Sequence, residues 1–121
     1  MNGIFIKLYE HLSIEAQSLL VSIDSLLRKT MGDQLQEKIW SKMPMYYIGS
    51  KSIILALFND HINIVSNPAI YKKDGIHENA IIMNKALLEG YSITPKGMLQ
   101  IYTNQCIPTE SLIEIFRANF R

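Results

Sequence analysis

The stretch Pro44–Ser66, PMYYIGSKSIILALFNDHINIVS, decides the fold. Upstream of it apolar residues recur at three- and four-residue spacing; within it they fall into short runs broken by turn-forming residues. Met45–Ile48 is aromatic and branched, Gly49-Ser50 is a turn signal, and Ser52–Phe58 is almost wholly apolar. Asn59-Asp60 supplies a second turn, and His61–Val65 alternates polar with apolar. Three strands joined by two tight turns form an antiparallel meander at the centre of a sheet.

The turn lengths set the register. A two-residue turn at Asn59-Asp60 places Phe58 opposite His61, Leu57 opposite Ile62, Ala56 opposite Asn63 and Leu55 opposite Ile64. Residues directly opposite share a face. One face then carries Ile53, Leu55, Leu57, Ile62 and Ile64, and must be buried against helices. The other carries Ile54, Ala56, Phe58, His61, Asn63 and Val65, a mixture of apolar area and polar tips that suits either a binding surface or a loop-covered second face. The first turn is ambiguous. Two residues, Gly49-Ser50, pair Tyr46 with Ile53 on the core face; three, including Lys51, pair it with Ile54 on the face of His61.

Asn2–His11 reads as a short first helix with Ile4, Phe5, Leu8 and Leu12 on one stripe. Ser13 is a good N-cap for a longer helix from Ile14, whose stripe of Ile14, Leu19, Leu20, Ile23, Leu26 and Leu27 ends at Gly32. Asp33 caps an expected third helix through about Lys42, with Leu35, Ile39 and Trp40 inward, stopped by Pro44. Beyond the meander, Asn67-Pro68 breaks the strand, and Ala69–Gly75 is polar and ambiguous. Ile76–Glu89 reads as helix stopped by Gly90, with His77 and Glu78 in its first turn. Tyr91–Thr94 is a brief strand, Pro95-Lys96-Gly97 a turn, and Met98–Thr103 a further strand with Leu99 and Ile101 on one face. Thr109 caps a last helix whose buried stripe is Leu112, Ile113, Phe116 and Phe120. The expectation is α+β: a single domain over 1–121, one antiparallel sheet of four or five strands, with N-terminal helices and a C-terminal helix packed on one face.

Composition narrows the function. The 121 residues carry 12 basic and 11 acidic side chains, well mixed, for a net charge of +1. A nucleic-acid footprint needs a basic stripe, so nucleic acid is not the expected partner. Cys106 stands alone, which excludes an intramolecular disulfide and a cysteine-based zinc site and suggests a buried, inert thiol. No signal peptide or long apolar run is visible, so a soluble, cytoplasmic protein without membrane contact is expected.

The order of motifs resembles the YdhG-like family, domains of unknown function whose fold is compared with frataxin. The resemblance rests on Pro44-Met45-Tyr46 after a helical region, Phe58-Asn59-Asp60-His61-Ile62 at the second turn, Lys96-Gly97-Met98-Leu99-Gln100-Ile101 before a strand, and Pro108 to Phe116 at the close. It spans nearly the whole chain. It implies a YdhG/frataxin-like fold, and because one branch is described as a frataxin-like intracellular iron chaperone, it also implies an iron-binding alternative. Iron favours oxygen ligands. Glu10, Glu15 and Asp24 are sparse for that purpose, while Asp33 and Glu37 would share a helix face at i,i+4.

Catalytic motifs are missing: there is no Gly-x-Ser-x-Gly elbow, phosphate loop or dinucleotide fingerprint, and no histidine pair at i,i+4. His11 and His77 read as helix-end residues. His61 is either a half-buried structural histidine or part of a ligand-binding pocket with Tyr46, Phe58 and Lys96 for a small anionic or polar molecule. Trp40, Met45, Tyr47 and Tyr102 form a second candidate, an apolar patch for a homodimer or protein partner. The sequence therefore points to a non-enzymatic binding module using the open sheet face for a small ligand or protein partner, with the iron-binding chaperone as the alternative.

Overall fold

The structure is a computed structural model and describes residues 3–71, 73 and 77–121. Asn2 of the expected first helix and Ile76 of the expected later helix lie outside those residues. A 3-10 turn, Gly3–Phe5, leads into the short helix α1, Ile6–Tyr9, and then α2, Ile14–Met31. The main sheet comprises β1 (Gln36–Trp40), β2 (Met43–Ile48), β3 (Lys51–Leu57), β4 (His61–Asn67), β7 (Ser92–Ile93) and β8 (Leu99–Tyr102). Its order is β1-β2-β3-β4-β8-β7 and every pairing is antiparallel. A small second sheet pairs β5 (Ile70–Tyr71) with β6 (His77–Glu78). Helices α3 (Ala80–Met83) and α4 (Thr109–Asn119) complete the chain. Among the described residues, no helix is long and apolar enough to cross a membrane.

The meander has the expected register. Leu57 faces Ile62, Ala56 faces Asn63 and Leu55 faces Ile64, and the Phe58 N–H donates to His61 O across the Asn59-Asp60 turn. Gly49-Ser50 is a two-residue turn, with Ile48 opposite Lys51 and Tyr46 opposite Ile53. Gly49 has φ +60°, a left-handed conformation that glycine adopts at little cost. Tyr46 therefore belongs to the core face. There it joins Ile53, Leu55, Ile62, Ile64, Leu99 and Ile101, packed against Phe5, the α2 stripe Leu20, Ile23 and Leu27, and Leu112, Ile115 and Phe116 of α4.

Helix α2 begins as expected, with the Ser13 Oγ accepting from the Ala16 N–H, and ends at Gly32, φ +70°. The expected third helix over Asp33–Lys42 is instead a 3-10 turn followed by β1, which is why the sheet has six strands rather than four or five. Helix propensity is a weak preference. A strand here pairs the backbone of β2, through a two-residue turn in which Ser41 (φ +50°) and Lys42 (φ +62°) take the mirror-image conformation that suits strand twist. Ile39 and Trp40, expected inward, are exposed in consequence.

The expected helix over Ile76–Glu89 is also broken, and His77 and Glu78 lie in β6 rather than in its first turn. Asn79 is the cause at one end. Its Oδ1 accepts from the Ile82 N–H, capping α3, while its Nδ2 donates to Gly97 O. Asn84 donates through Nδ2 to Ala80 O, after which the chain tightens into a 3-10 segment, Lys85–Leu88. Side-chain amides compete here with the helical ladder. In α4, Pro108 rather than Thr109 takes the cap position, without a side-chain capping bond.

The end of α4 is tied to the sheet by one buried amide. Asn119 Oδ1 accepts from the Ser66 hydroxyl at 2.6 Å, and its Nδ2 donates to Ser52 O at 3.1 Å. Removing it deprives the buried Ser66 hydroxyl of its acceptor and Ser52 O of this donor. Asn119→Ala is expected to cost about 2–4 kcal/mol in urea unfolding, with an unchanged dependence on denaturant concentration.

Candidate functional site

The helices pack against one face of the sheet. The other face is formed by side chains from β1 to β8 that alternate with the core set, and Ile54, though buried there, packs outside the core cluster. Across it the register defines a row. Trp40 faces Met43, Ala56 faces Asn63, and Asn63 faces Gln100; carrying the β2–β3 pairing two residues beyond Met45↔Ile54 sets Met43 opposite Ala56. Trp40 is 51% exposed, and Met43, Met45 and Tyr47 are half-buried. The Lys38 ammonium lies over the Tyr47 ring at 4.9 Å. Asn63 Oδ1 is buried and has no hydrogen-bond partner among the described residues.

One end of this face carries a stack of three rings. His61 lies parallel to Phe58, with centroids 4.4 Å apart and planes 7° apart, and against Tyr102 at 4.8 Å. The hairpin turn and the His61↔Tyr102 pairing place these side chains side by side. His61 Nδ1 lies 2.6 Å from Asp60 Oδ1. A carboxylate only accepts, so Nδ1 is the donor in this contact and Nε2 points away from Asp60. The turn itself is anchored from behind: the Ser13 N–H donates to Asn59 Oδ1 and its hydroxyl donates to Asn59 O. Ser13 thus caps α2 and fixes the hairpin, the second role invisible in a linear reading.

Of the four residues expected to share a pocket, the structure brings together two. Phe58 and His61 are in contact. Tyr46 is on the opposite face, fully buried. Lys96 lies in the turn between β7 and β8, beside Val65 and Asn67 at the far end of β4, where a depression of about 110 Å³ is found. That is roughly 15 Å along the strand from His61. Larger depressions, of about 400 Å³ beside Leu87, Glu110 and Glu114 and about 300 Å³ beside Lys51, Ile70 and Met83, are not lined by Phe58 or His61.

Tyr46 instead belongs to a buried polar cluster. Its hydroxyl donates to Asp24 Oδ1 at 2.6 Å, and Arg28 donates to both Asp24 oxygens, at 2.9 and 3.1 Å, while also pairing with Glu37 of β1. Phe5 packs edge-on against the Tyr46 ring. Asp24 is 1% exposed. Burial, and then the bond to Asp24, push the Tyr46 hydroxyl well above its ordinary range; the bond to Asp24 likewise raises Arg28. The signal for this cluster was in the sequence: Asp24 falls four after Leu20 and three before Leu27, on the apolar stripe, with Arg28 at i+4.

Asp33 and Glu37 do not share a helix face, since Asp33 is in a 3-10 turn and Glu37 in β1, turned to Arg28. Among the described residues, no group of three or more His, Cys, Asp or Glu side chains is placed to hold a metal ion. Cys106, expected buried, is exposed.

The fold defines a class, the open-faced α+β domain with one antiparallel sheet and its helices on one side. Within that class, the chain is similar to a solved crystal structure of a protein from the DUF1801 family, YdhG, of Bacillus subtilis. The TM-score is 0.72 at 14% sequence identity, over 94% of this chain and 86% of that one. The YdhG-like architecture expected from the motif order is thus the observed one. No family model matches the chain, and no curated protein matches it.

The Tyr46 shift has a sign that can be measured. In the unfolded chain the hydroxyl ionises near pH 10; in the folded chain it stays protonated well above that. Its stabilising contribution is therefore complete below about pH 10 and falls as pH rises further, by about 1.4 kcal/mol per pH unit. The stability difference between the wild type and Tyr46→Phe, from urea unfolding between about pH 9 and about pH 11, should shrink with that slope.

Proposed function

We propose that the domain is a non-enzymatic binding module whose uncovered sheet face takes a protein partner. The observation that carries this is the fixed aromatic stack of Phe58, His61 and Tyr102 on a face that also presents Trp40, Met43, Met45 and Tyr47. Aromatic and methionine side chains are the groups that enrich the centres of protein interfaces. A small ligand would need a concave site, and the separation of Tyr46 and Lys96 from His61 takes away the pocket those residues would have formed. Catalysis would need a base within reach of a nucleophile. The His61–Asp60 pair supplies an oriented base, but the nearby Ser13 hydroxyl is committed to Asn59 O and to the Ala16 N–H.

The rings also argue for protein over nucleic acid. His61 is stacked between Phe58 and Tyr102, so neither of its faces is open, whereas base stacking needs exposed ring faces. Photocrosslinking residues placed at Trp40 and at Leu87 test the reading in cells. Adducts are expected from Trp40 on the sheet face, and adducts from Leu87 alone on the helical side would reject it. His61→Ala should lower the Trp40 adduct yield severalfold while costing about 1–3 kcal/mol of stability, because the ring is 16% exposed and stacked on both sides.

A further inference from the structure

Two opposite charges at one end of the uncovered face occupy mirrored positions, while Lys38 farther along β1 lies over the Tyr47 ring. The Ser41-Lys42 turn between β1 and β2 and the Asn59-Asp60 turn between β3 and β4 lie at the same end of the sheet. One carries an exposed lysine and the other an aspartate whose side chain is 75% exposed. They lie at equal distances on either side of a line running along the strands between β2 and β3. Along the row that crosses that line, Trp40 and Met43 stand on one side and Ala56 and Asn63 on the other.

We infer that the partner is a second copy of this chain, docked face to face about a two-fold axis along that line; this rests on the reading of the face as a partner surface. Rotation about the axis exchanges left and right. It sets Lys42 against Asp60 of the copy, Trp40 over Asn63 and His61, and Met43 over Ala56, and each contact is made twice. Strands equidistant from the axis, β1 and β4, are brought face to face at the roughly 10 Å spacing of packed sheets. A face of uniform charge would repel its own copy; one with opposite charges at mirrored positions attracts it.

Sedimentation equilibrium of the purified full chain over a wide concentration series tests this. The mass is expected to rise from 13.9 kDa towards twice that value. Lys42→Glu should weaken the dimer by about tenfold or more, and adding Asp60→Lys to it should restore most of the loss. Trp40→Asp should abolish the dimer with thermal unfolding little changed, since the residue is half-exposed, and Leu87→Asp on the helical side should leave it intact. A wild type that stays monomeric at every concentration overturns the inference, as does a dimer insensitive to Lys42→Glu or broken by Leu87→Asp. A monomer that nonetheless crosslinks through Trp40 to a different protein overturns the dimer while leaving the binding-module reading standing.

Discussion

The Tyr46 hydroxyl donates to a carboxylate shut inside the core, and much of the architecture follows from making that arrangement tolerable. A buried charge is costly unless paired and hydrogen-bonded. Asp24 meets the requirement with Arg28 one turn along α2 and Tyr46 on β2, and Arg28 reaches on to Glu37 of β1. The cluster therefore fixes three elements against one another: the long helix, the strand beside the centre of the sheet, and the edge strand. It also requires Tyr46 to point inward. The two-residue turn at Gly49-Ser50 has the same consequence by geometry, so chemistry and backbone enforce one register.

That register separates the two faces and gives them different work. The inner one is apolar apart from this cluster and the Ser66–Asn119 tie, and holds the helices. The outer one is left with amphipathic side chains whose rings are pinned by one another and by the Asn59-Asp60 turn. Ser13 links the two layers, since the residue that starts α2 also holds the hairpin bearing His61. The hairpin that carries these rings is thus held from behind by the start of the long helix.

Legibility in the sequence followed the range of the deciding interaction. The meander, its second turn and the long helix could be read because period, turn residues and capping are local signals, and they agreed. The Asp33–Trp40 segment was misread because the Ser41-Lys42 turn that pairs it with β2 contains neither glycine nor asparagine, so its hairpin carries no turn signal. The segment after Gly75 was misread because Asn79 and Asn84 divert hydrogen bonds that a periodicity count assumes to be helical. For the site, Phe58 and His61 were found together because one hairpin joins them. Tyr102 was seen as apolar surface but not as the third ring, since its place depends on the long-range β4–β8 pairing. Tyr46 hung on one residue of turn length.

The edge strand β1 has a further bearing on how the chain behaves at high concentration. A sheet edge offers unpaired backbone groups to any extended chain, and unchecked growth along it leads to fibres. Here the edge strand is five residues long and carries Lys38 on one side, and on the other Glu37, an inward charge held by Arg28. A newcomer pairing with this strand would have to bury its own side chains beside that ion pair. Growth along this edge is discouraged, so the edge is closed to strand addition in a way the broad face is not.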